Sequence, residues 1–311
     1  MYQSHRITAV IPAYNEAKHI GQVLGRIPEY VDQVIVVDDA STDQTSHATK
    51  QFKDPRILIL NHPKNLGVGG ATLTGYRKAM ELGADIIAKI DGDGQMDWKF
   101  LPNLLDPLIK EDCHYAKGNR FLASESLDFM PRSRLFGNLT LTFLTKLASG
   151  YWHIFDPQNG YTAIKAKTLA ALDLVPIHQG YFFENDMLVH LNLLGCRVRD
   201  VAIPASYGEE KSDLNPIKAG AVFPFLLLQR FIRRIYQKYI LRDFSPIALF
   251  LILGILSFSW GLIFGIFHWI KSYMLGVVTP TGTIMLALLP LILGFQLILQ
   301  AIVLDIGETP K

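Results

Sequence analysis

Two aspartates, Asp91 and Asp93, flank Gly92 in the segment KIDGDGQ (89–95), directly after the apolar stretch that begins at Ile86. Two carboxylates leaving a strand end on a turn of minimal bulk suit a hard divalent cation, Mg²⁺ or Mn²⁺, which keeps other positions open for phosphate oxygens. Alone, Asp-x-Asp is a weak signal, because turns are rich in Asp and Gly. Here it stands in series with VIPAYNE (10–16), VVDDAST (36–42) and NLGVGGA (65–71). Most of these segments place acids or amides straight after an apolar run. Gly67, Gly69 and Gly70 do not have P-loop spacing, so a tight turn and close helix packing are expected of them rather than a phosphate cradle.

The elements that must position these groups are short β-branched runs alternating with helical patterns. Strands are predicted at 7–12, 34–37, 57–61 and 86–90, with helices starting near 18 and 42 and another spanning about 69–82. Strand and helix alternating in this way predict an α/β domain with a mostly parallel sheet covered on both faces. In such sheets ligands bind at the carboxyl ends of the strands, where the four segments fall.

Composition separates two regimes. The chain has 311 residues, 30 Lys+Arg against 28 Asp+Glu and a net charge of +2, with a mean hydropathy of +0.22. After Asp243 only Lys271, Asp305, Glu308 and Lys311 are charged. The remaining 54 charged residues lie in the first 243, close to the roughly 25 % of an ordinary globular protein. Residues 245–267 and 272–304 contain no Asp, Glu, Lys or Arg, and each run exceeds the roughly 20 residues a bilayer-spanning helix needs. The expected organisation is a domain over 1–215, a basic juxtamembrane helix region over 216–243, spans at 244–268 and 283–304, a short loop at 269–282 and a tail at 305–311.

Arg230, Arg233, Arg234, Lys238 and Arg242 precede the first span, whereas the loop between the spans offers only Lys271. The positive-inside rule then puts the large domain and both termini in the cytoplasm, on the inner membrane if the source is bacterial. Between 225 and 242 apolar clusters alternate with basic residues at helical spacing, as in a helix lying on anionic headgroups; the plainer alternative is a flanking segment that only fixes topology. The N-terminus has no signal-peptide pattern. Cys113 and Cys196 are far apart and belong to no metal-binding cluster, which fits a reducing compartment. Disorder, a disulfide scaffold and a nucleic-acid partner are all disfavoured.

The four strand-end segments, in this order, resemble the nucleotide-sugar half of family-two glycosyltransferases with the GT-A fold. KGNRF (117–121), FDPQNGY (155–161) and GYFFEND (180–186), followed by a basic helix and a membrane hairpin, narrow the resemblance. The whole chain is similar to the polyprenyl-phosphate glycosyltransferases, among them dolichol-phosphate mannose synthase and its bacterial undecaprenyl-phosphate relatives.

That resemblance implies site residues. Pro12, Tyr14 and Glu16 pack on the base and ribose of a UDP- or GDP-sugar, and Asp39 hydrogen-bonds the base. The alternative for Asp38 and Asp39 is capping the helix ahead of Thr42. Asp91 and Asp93 hold Mg²⁺ or Mn²⁺ against the donor diphosphate, and Gln95 orients sugar or ion unless it is simply an exposed turn amide. Inversion at the anomeric carbon is inferred from the family, since no nucleophile for a double displacement is evident. A homo-oligomer is implied as well, because relatives form tetramers.

The acceptor decides the remaining roles. A sugar hydroxyl must lose a proton as it attacks and needs a general base, whereas a phosphate monoester is largely dianionic at neutral pH and needs positive charge to hold it. Arg134, Arg120 and Arg132 are the candidates for that task, since forked guanidinium groups suit phosphate oxygens. Glu184 and Asp186 stand where hydroxyl-transferring relatives carry a base, although Asn185 splits the usual acidic pair. Asp186 is the candidate for a weak base or orienting residue, against the plain alternative of a carboxylate favoured by a helix N-terminus. Thr162 stands where relatives often carry Arg or Lys, with Lys165 further on. Residues 207–216, rich in charge and turn formers, suggest a flap over the lipid headgroup.

These residues together lead to an expected function: transfer of a hexose to a polyprenyl phosphate at the cytoplasmic face. One rival is transfer to a lipid or glycan hydroxyl such as that of diacylglycerol, which would make Asp186 indispensable. The other is an inactive scaffold subunit, against which the intact Asp39, Asp91 and Asp93 argue.

Overall fold

The computed structural model describes residues 1–122, 132–204 and 216–310, with side chains for all of these except 132–136 and 216–219. The expected flap at 207–216 falls almost wholly outside the described residues. Two units are distinguished, Met1–Arg230 with the last two residues, and Phe231–Thr309.

In the first unit β1 (Ile7–Ala13), α1 (Ile20–Leu24), β2 (Gln33–Asp38), α2 (Thr45–Lys50), β3 (Ile57–Asn61), α3 (Val68–Glu81) and β4 (Ile86–Lys89) alternate as the sequence predicts. They are followed by α4 (Leu101–Lys110), β5 (Tyr115–Asn119), α5 (Arg132–Ser149), β6 (Thr162–Lys165), α6 (Ala166–Ala171), α7 (Phe183–Leu193), β7 (Val198–Ala202) and α8 (Pro216–Ile235), whose last five residues belong to the second unit. The strands join in the order β3-β2-β1-β4-β6-β5-β7. β1 pairs in parallel with β2 and β4, β2 with β3, and β5 with β7, while β6 runs antiparallel between β4 and β5.

The sheet is apolar on both faces, as a mostly parallel sheet under helices must be. Every residue of β1 is buried. Ile7, Ala9, Ile11 and Ala13 pack with α1 and with Leu101, Leu104, Leu105 and Leu108 of α4. Val10 faces the opposite core, with Leu73 and Tyr76 of α3 and Phe183, Met187 and Leu191 of α7. Each such side chain contributes roughly 1.5–3 kcal/mol on leaving water. α3 lies so close to β1 that a Cβ on Gly75 would collide with Val10.

In the second unit a π-helical segment (Tyr236–Arg242) precedes α9 (Pro246–Leu275) and α10 (Thr281–Gly307). Both helices are long and apolar enough to cross a membrane. They run beyond the uncharged stretches, so the connection closes to a few residues around Gly276, whose φ of +63° ends α9. Small residues bring the two backbones together. A Cβ on Gly261 would lie 2.6 Å from the Ala287 carbonyl, and one on Gly294 would strike the Phe258 amide, the close approach typical of helices packed in lipid. Their outward faces are apolar, with Leu256, Trp260, Ile263, Leu286 and Leu293 about half exposed or more.

Candidate active site

The carboxyl ends of β1, β2 and β4 meet, because these strands are neighbours in the sheet. The register sets Pro12 opposite Val37 and Ala13 opposite Asp38. Beyond it the first two loops are laced together. The Asn15 amide donates to Ser41 Oγ at 3.0 Å, the Thr42 amide to Asn15 Oδ1 at 2.8 Å and the Glu16 amide to Thr45 Oγ1 at 2.7 Å. Asn15 adopts φ +58°, one of the polar residues that tolerate this conformation. Tyr14 stands out from this frame, 40 % exposed.

Asp39 does something that local reading did not reveal. It is 2 % exposed, and its carboxylate accepts from the amides of Leu66 and Gly67 at 2.9 and 2.8 Å, with His62 Nδ1 at 2.7 Å. A carboxylate has about four acceptor positions, so most of Asp39's capacity is spent bracing the 62–67 turn. Asp38 accepts from the Ser41 amide at 2.9 Å. Neither acid caps α2, which begins at Thr45 after Gln44. The glycines of the next segment serve packing, as expected. Gly67 has φ +85°, and a Cβ on Gly67 or Gly69 would fall 2.7 or 2.6 Å from the Gln179 or His178 carbonyl.

The turn after β4 is folded against the first loop. A Cβ on Gly92 would lie 3.3 Å from the Pro12 carbonyl and 3.4 Å from Glu16 Cγ, and Gly94 takes φ +76°. Asp93 Oδ1 accepts from the Gln95 amide at 3.0 Å, so Gln95 contributes its backbone to the shape of this turn. Asp91 keeps a side chain 28 % exposed, while its Oδ1 accepts from Lys89 Nζ at 2.7 Å. Burial alone would lower the Lys89 pKa, but the Asp91 and Glu184 carboxylates raise it well above the lysine norm. Among the described residues no three His, Cys, Asp or Glu converge as a ready metal site. Two carboxylates at a partly open strand end fit an ion that takes its other ligands from phosphate and water.

The acidic residues of GYFFEND point into different structure. All of them lie in the first turn of α7. Glu184 is held by Lys89 Nζ at 3.0 Å. Asn185 Oδ1 accepts from Thr145 Oγ1 at 2.9 Å. Asp186 is wholly buried and accepts from the His178 amide at 2.8 Å and from Arg230 Nη2 at 2.8 Å. Burial would raise its pKa, and the His190 and Arg230 contacts outweigh burial and lower it. Through these contacts Asp186 fastens α8 to the start of α7.

Arg120 likewise has a different partner from the one expected. Its Nε and Nη2 donate to Asp156 at 2.7 and 2.8 Å. Burial of Asp156 favours its neutral form, but this fork lowers its pKa below the usual carboxylate value. The Arg120 guanidinium is thus tied to a buried carboxylate while its side chain stays 33 % exposed. Lys117, 1 % exposed, fixes the same loop through the carbonyls of Phe155 and Asp156 at 2.8 and 2.7 Å. Arg132 and Arg134 open α5, and their side chains lie outside the described residues. Lys165 pairs with Asp112 and with Ile86 in register, at the end of β4 remote from the aspartates.

The basic segment also divides. Arg230 turns inward to Asp186. In the second unit Arg234, fully buried, forks onto Asp305 at 2.7 and 2.9 Å, with Tyr239 donating to the same carboxylate at 2.6 Å. In the first unit's part of α8, Phe225 and Leu228 are each more than half exposed, and in the second unit Ile232 and Tyr236 are as well. Sequence reading gave Lys89 no role and took Arg230 and Arg234 only as basic residues ahead of the first span. A signal existed for Lys89, since a lysine inside an apolar strand is almost never buried without a partner.

Comparison with known proteins follows the same lines. The family model for glycosyl transferase family 2 matches residues 8–172. The chain is 35 % identical over 181 residues to a UDP-N-acetylglucosamine–dolichyl-phosphate N-acetylglucosaminyltransferase of Methanococcus voltae, spanning 53 % of this chain and 72 % of the relative. It is 32 % identical over 222 residues to an undecaprenyl-phosphate mannosyltransferase of Micrococcus luteus, spanning 70 % and 89 %. A solved structure of glucosyl-3-phosphoglycerate synthase from Mycobacterium tuberculosis, with Mn²⁺, UDP-glucose and phosphoglyceric acid, shares the fold. Its TM-score is 0.56 at 21 % identity, over 74 % of this chain and 80 % of that one.

Proposed function

The chain belongs to glycosyl transferase family 2, and on that premise we propose that it moves one hexose from a UDP- or GDP-sugar to a polyprenyl phosphate at the cytoplasmic membrane face. The observation that carries the reading is the Asp91–Asp93 pair, leaving β4 beside the first loop in a chain that ends in two membrane-length apolar helices. Relatives named for dolichyl-phosphate and undecaprenyl-phosphate transfer support the acceptor class.

In this reading Pro12, Tyr14 and Glu16 border the nucleotide. Asp39 braces the turn beneath it and keeps one acceptor position for the base. Asp91 and Asp93 would hold a divalent ion, which would supply Lewis-acid help to the departing nucleoside diphosphate; Mn²⁺ accompanies UDP-glucose in the fold relative. The acceptor phosphate oxygen forms its bond to the anomeric carbon as the bond to the diphosphate breaks, with inversion. No base is required, which agrees with the engagement of both Glu184 and Asp186 by cations. Arg134 and Arg132 remain the proposed phosphate holders, and the exposed apolar Phe225 and Leu228 of α8 rest on the bilayer surface.

The test is transfer from a panel of radiolabelled UDP- and GDP-sugars to undecaprenyl phosphate in detergent, with Mg²⁺, with Mn²⁺ and with EDTA, beside Asp93→Ala. One sugar should give a mild-acid-labile lipid product that requires both metal and Asp93. Labelling of diacylglycerol or glycan with none of polyprenyl phosphate would overturn the acceptor.

A further inference from the structure

Lys89 is the last residue of β4 and stands between the metal motif and the acidic start of α7. Its Nζ donates to Asp91 Oδ1 at 2.7 Å and to Glu184 Oε1 at 3.0 Å, with the Gly160 carbonyl at 3.4 Å. Three acceptors match the three protons of an ammonium group. Lys89 is 1 % exposed and lies opposite Val10 of β1 and Thr162 of β6 in the middle of the sheet, so its stem is fixed by two strands. The fold also clears a place for this contact: a Cβ on Gly160 would lie 2.5 Å from both Lys89 Nζ and Asp91 Oδ2.

The charges decide what the cluster is for. A buried carboxylate such as Glu184 is strongly destabilising unless paired, and Lys89 supplies the pairing. An apolar pair at positions 89 and 184 would fill the same volume without that cost, so stability gives the cluster no advantage. What it does provide is a fixed orientation of Asp91, with Oδ1 taken by the ammonium group and Oδ2 left for another ligand.

We infer that Lys89 is a positioning residue that presents Asp91 to the divalent ion through one oxygen and ties Glu184 into the donor site as its counter-charge. The inference rests on the donor-site reading above. It also opposes the simplest electrostatic expectation, in which a cation beside a metal site weakens metal binding and its removal tightens it.

Full-length protein in detergent is titrated with Mn²⁺ in the presence of UDP, following loss of the free-Mn²⁺ resonance, alongside thermal melts and UDP binding without metal. Lys89→Met should weaken Mn²⁺ binding by roughly 10–100-fold, as loss of an orienting partner does, although it removes a positive charge. Glu184→Gln, of equal size, should weaken it less, and UDP binding without metal should stay unchanged in both. Unchanged or tighter Mn²⁺ binding in folded Lys89→Met would overturn the inference. If Lys89→Met does not fold, Glu184→Gln decides, and wild-type Mn²⁺ affinity in it overturns the inference equally. Failure of the unaltered protein to take up Mn²⁺ with UDP would instead remove the donor-site reading, and this inference with it.

Discussion

Arg230 and Asp186, from α8 and α7, form a buried ion pair: Nη2 donates to Oδ2 at 2.8 Å and Nε lies 2.7 Å from Oδ1. The aspartate has no exposed surface and the arginine side chain is 14 % exposed. The most base-like acid in the sequence is therefore the fastening point of a helix. Removing one partner of such a pair costs about 3–5 kcal/mol, because the other charge stays buried and alone. Asp186→Asn and Arg230→Met should each lower the melting temperature markedly while folded enzyme keeps its kcat. A loss of roughly 10²–10⁴-fold in kcat without thermal destabilisation, the mark of a general base, would restore Asp186 to catalysis.

Gly160 offers a gentler probe of the Asp91–Asp93 turn. Alanine there adds one methyl where Asp91 Oδ2 and Lys89 Nζ already stand 2.5 Å away. Either the lysine or the aspartate must move, so Gly160→Ala should reduce kcat/KM by about tenfold or more with Mn²⁺ affinity falling alongside, the cost of a displaced orienting contact. Wild-type kinetics would show that the Lys89–Asp91 geometry has no bearing on transfer.

Arg120 and Asp156 give a second separation of structure from chemistry. Asp156 adopts φ +49°, and its buried carboxylate faces the Arg120 fork. Arg120→Ala takes the guanidinium away and leaves Asp156 only the residue-120 amide at 3.2 Å and Asn159 Nδ2 at 3.4 Å, at about 1–3 kcal/mol. Arg120→Lys should recover only part, because an ammonium group cannot reproduce the bidentate contact. Unfolding by denaturant measures both. Full stability in Arg120→Ala, together with a raised KM for polyprenyl phosphate, would return Arg120 to the acceptor.

The same carboxylates set a pH dependence. Burial pushes Asp156 and Asp186 upward, but Arg120 for the first and His190 with Arg230 for the second overcome it, leaving both below their ordinary value. A carboxylate depressed in the folded state contributes stability above its unfolded pKa of about 3.9 and loses it as pH falls through the native value. The first unit's stability should therefore hold at neutral pH and decline below about pH 4. Asp156→Asn should start less stable and fall less steeply in melts across this range; a slope equal to the unaltered protein's would exclude Asp156 as a source.

Local order was enough to read the strand and helix alternation, because β-branched runs and helical periodicity act within a few residues. It placed β1 to β4 and α3 within a few residues of their bounds, put Asp91 and Asp93 on the turn after a central strand, and marked two apolar helices of membrane length. The glycine segment at 65–71 was legible as packing for the same reason: its spacing is a local property.

Only the tertiary structure decided which charge meets which. Lys89 and Glu184 are 95 residues apart, Arg230 and Asp186 44, Arg234 and Asp305 71. A buried charge must be compensated, but the partner is chosen by which strands and helices become neighbours, and composition carries no record of that choice. Asp39 spends its acceptors on Leu66 and Gly67, and Arg120 its fork on Asp156, because the sheet order brings those loops together. The sequence by itself determined what kinds of group stand at the strand ends; the packing of the sheet determined which of them stay partly open there and which hold the fold.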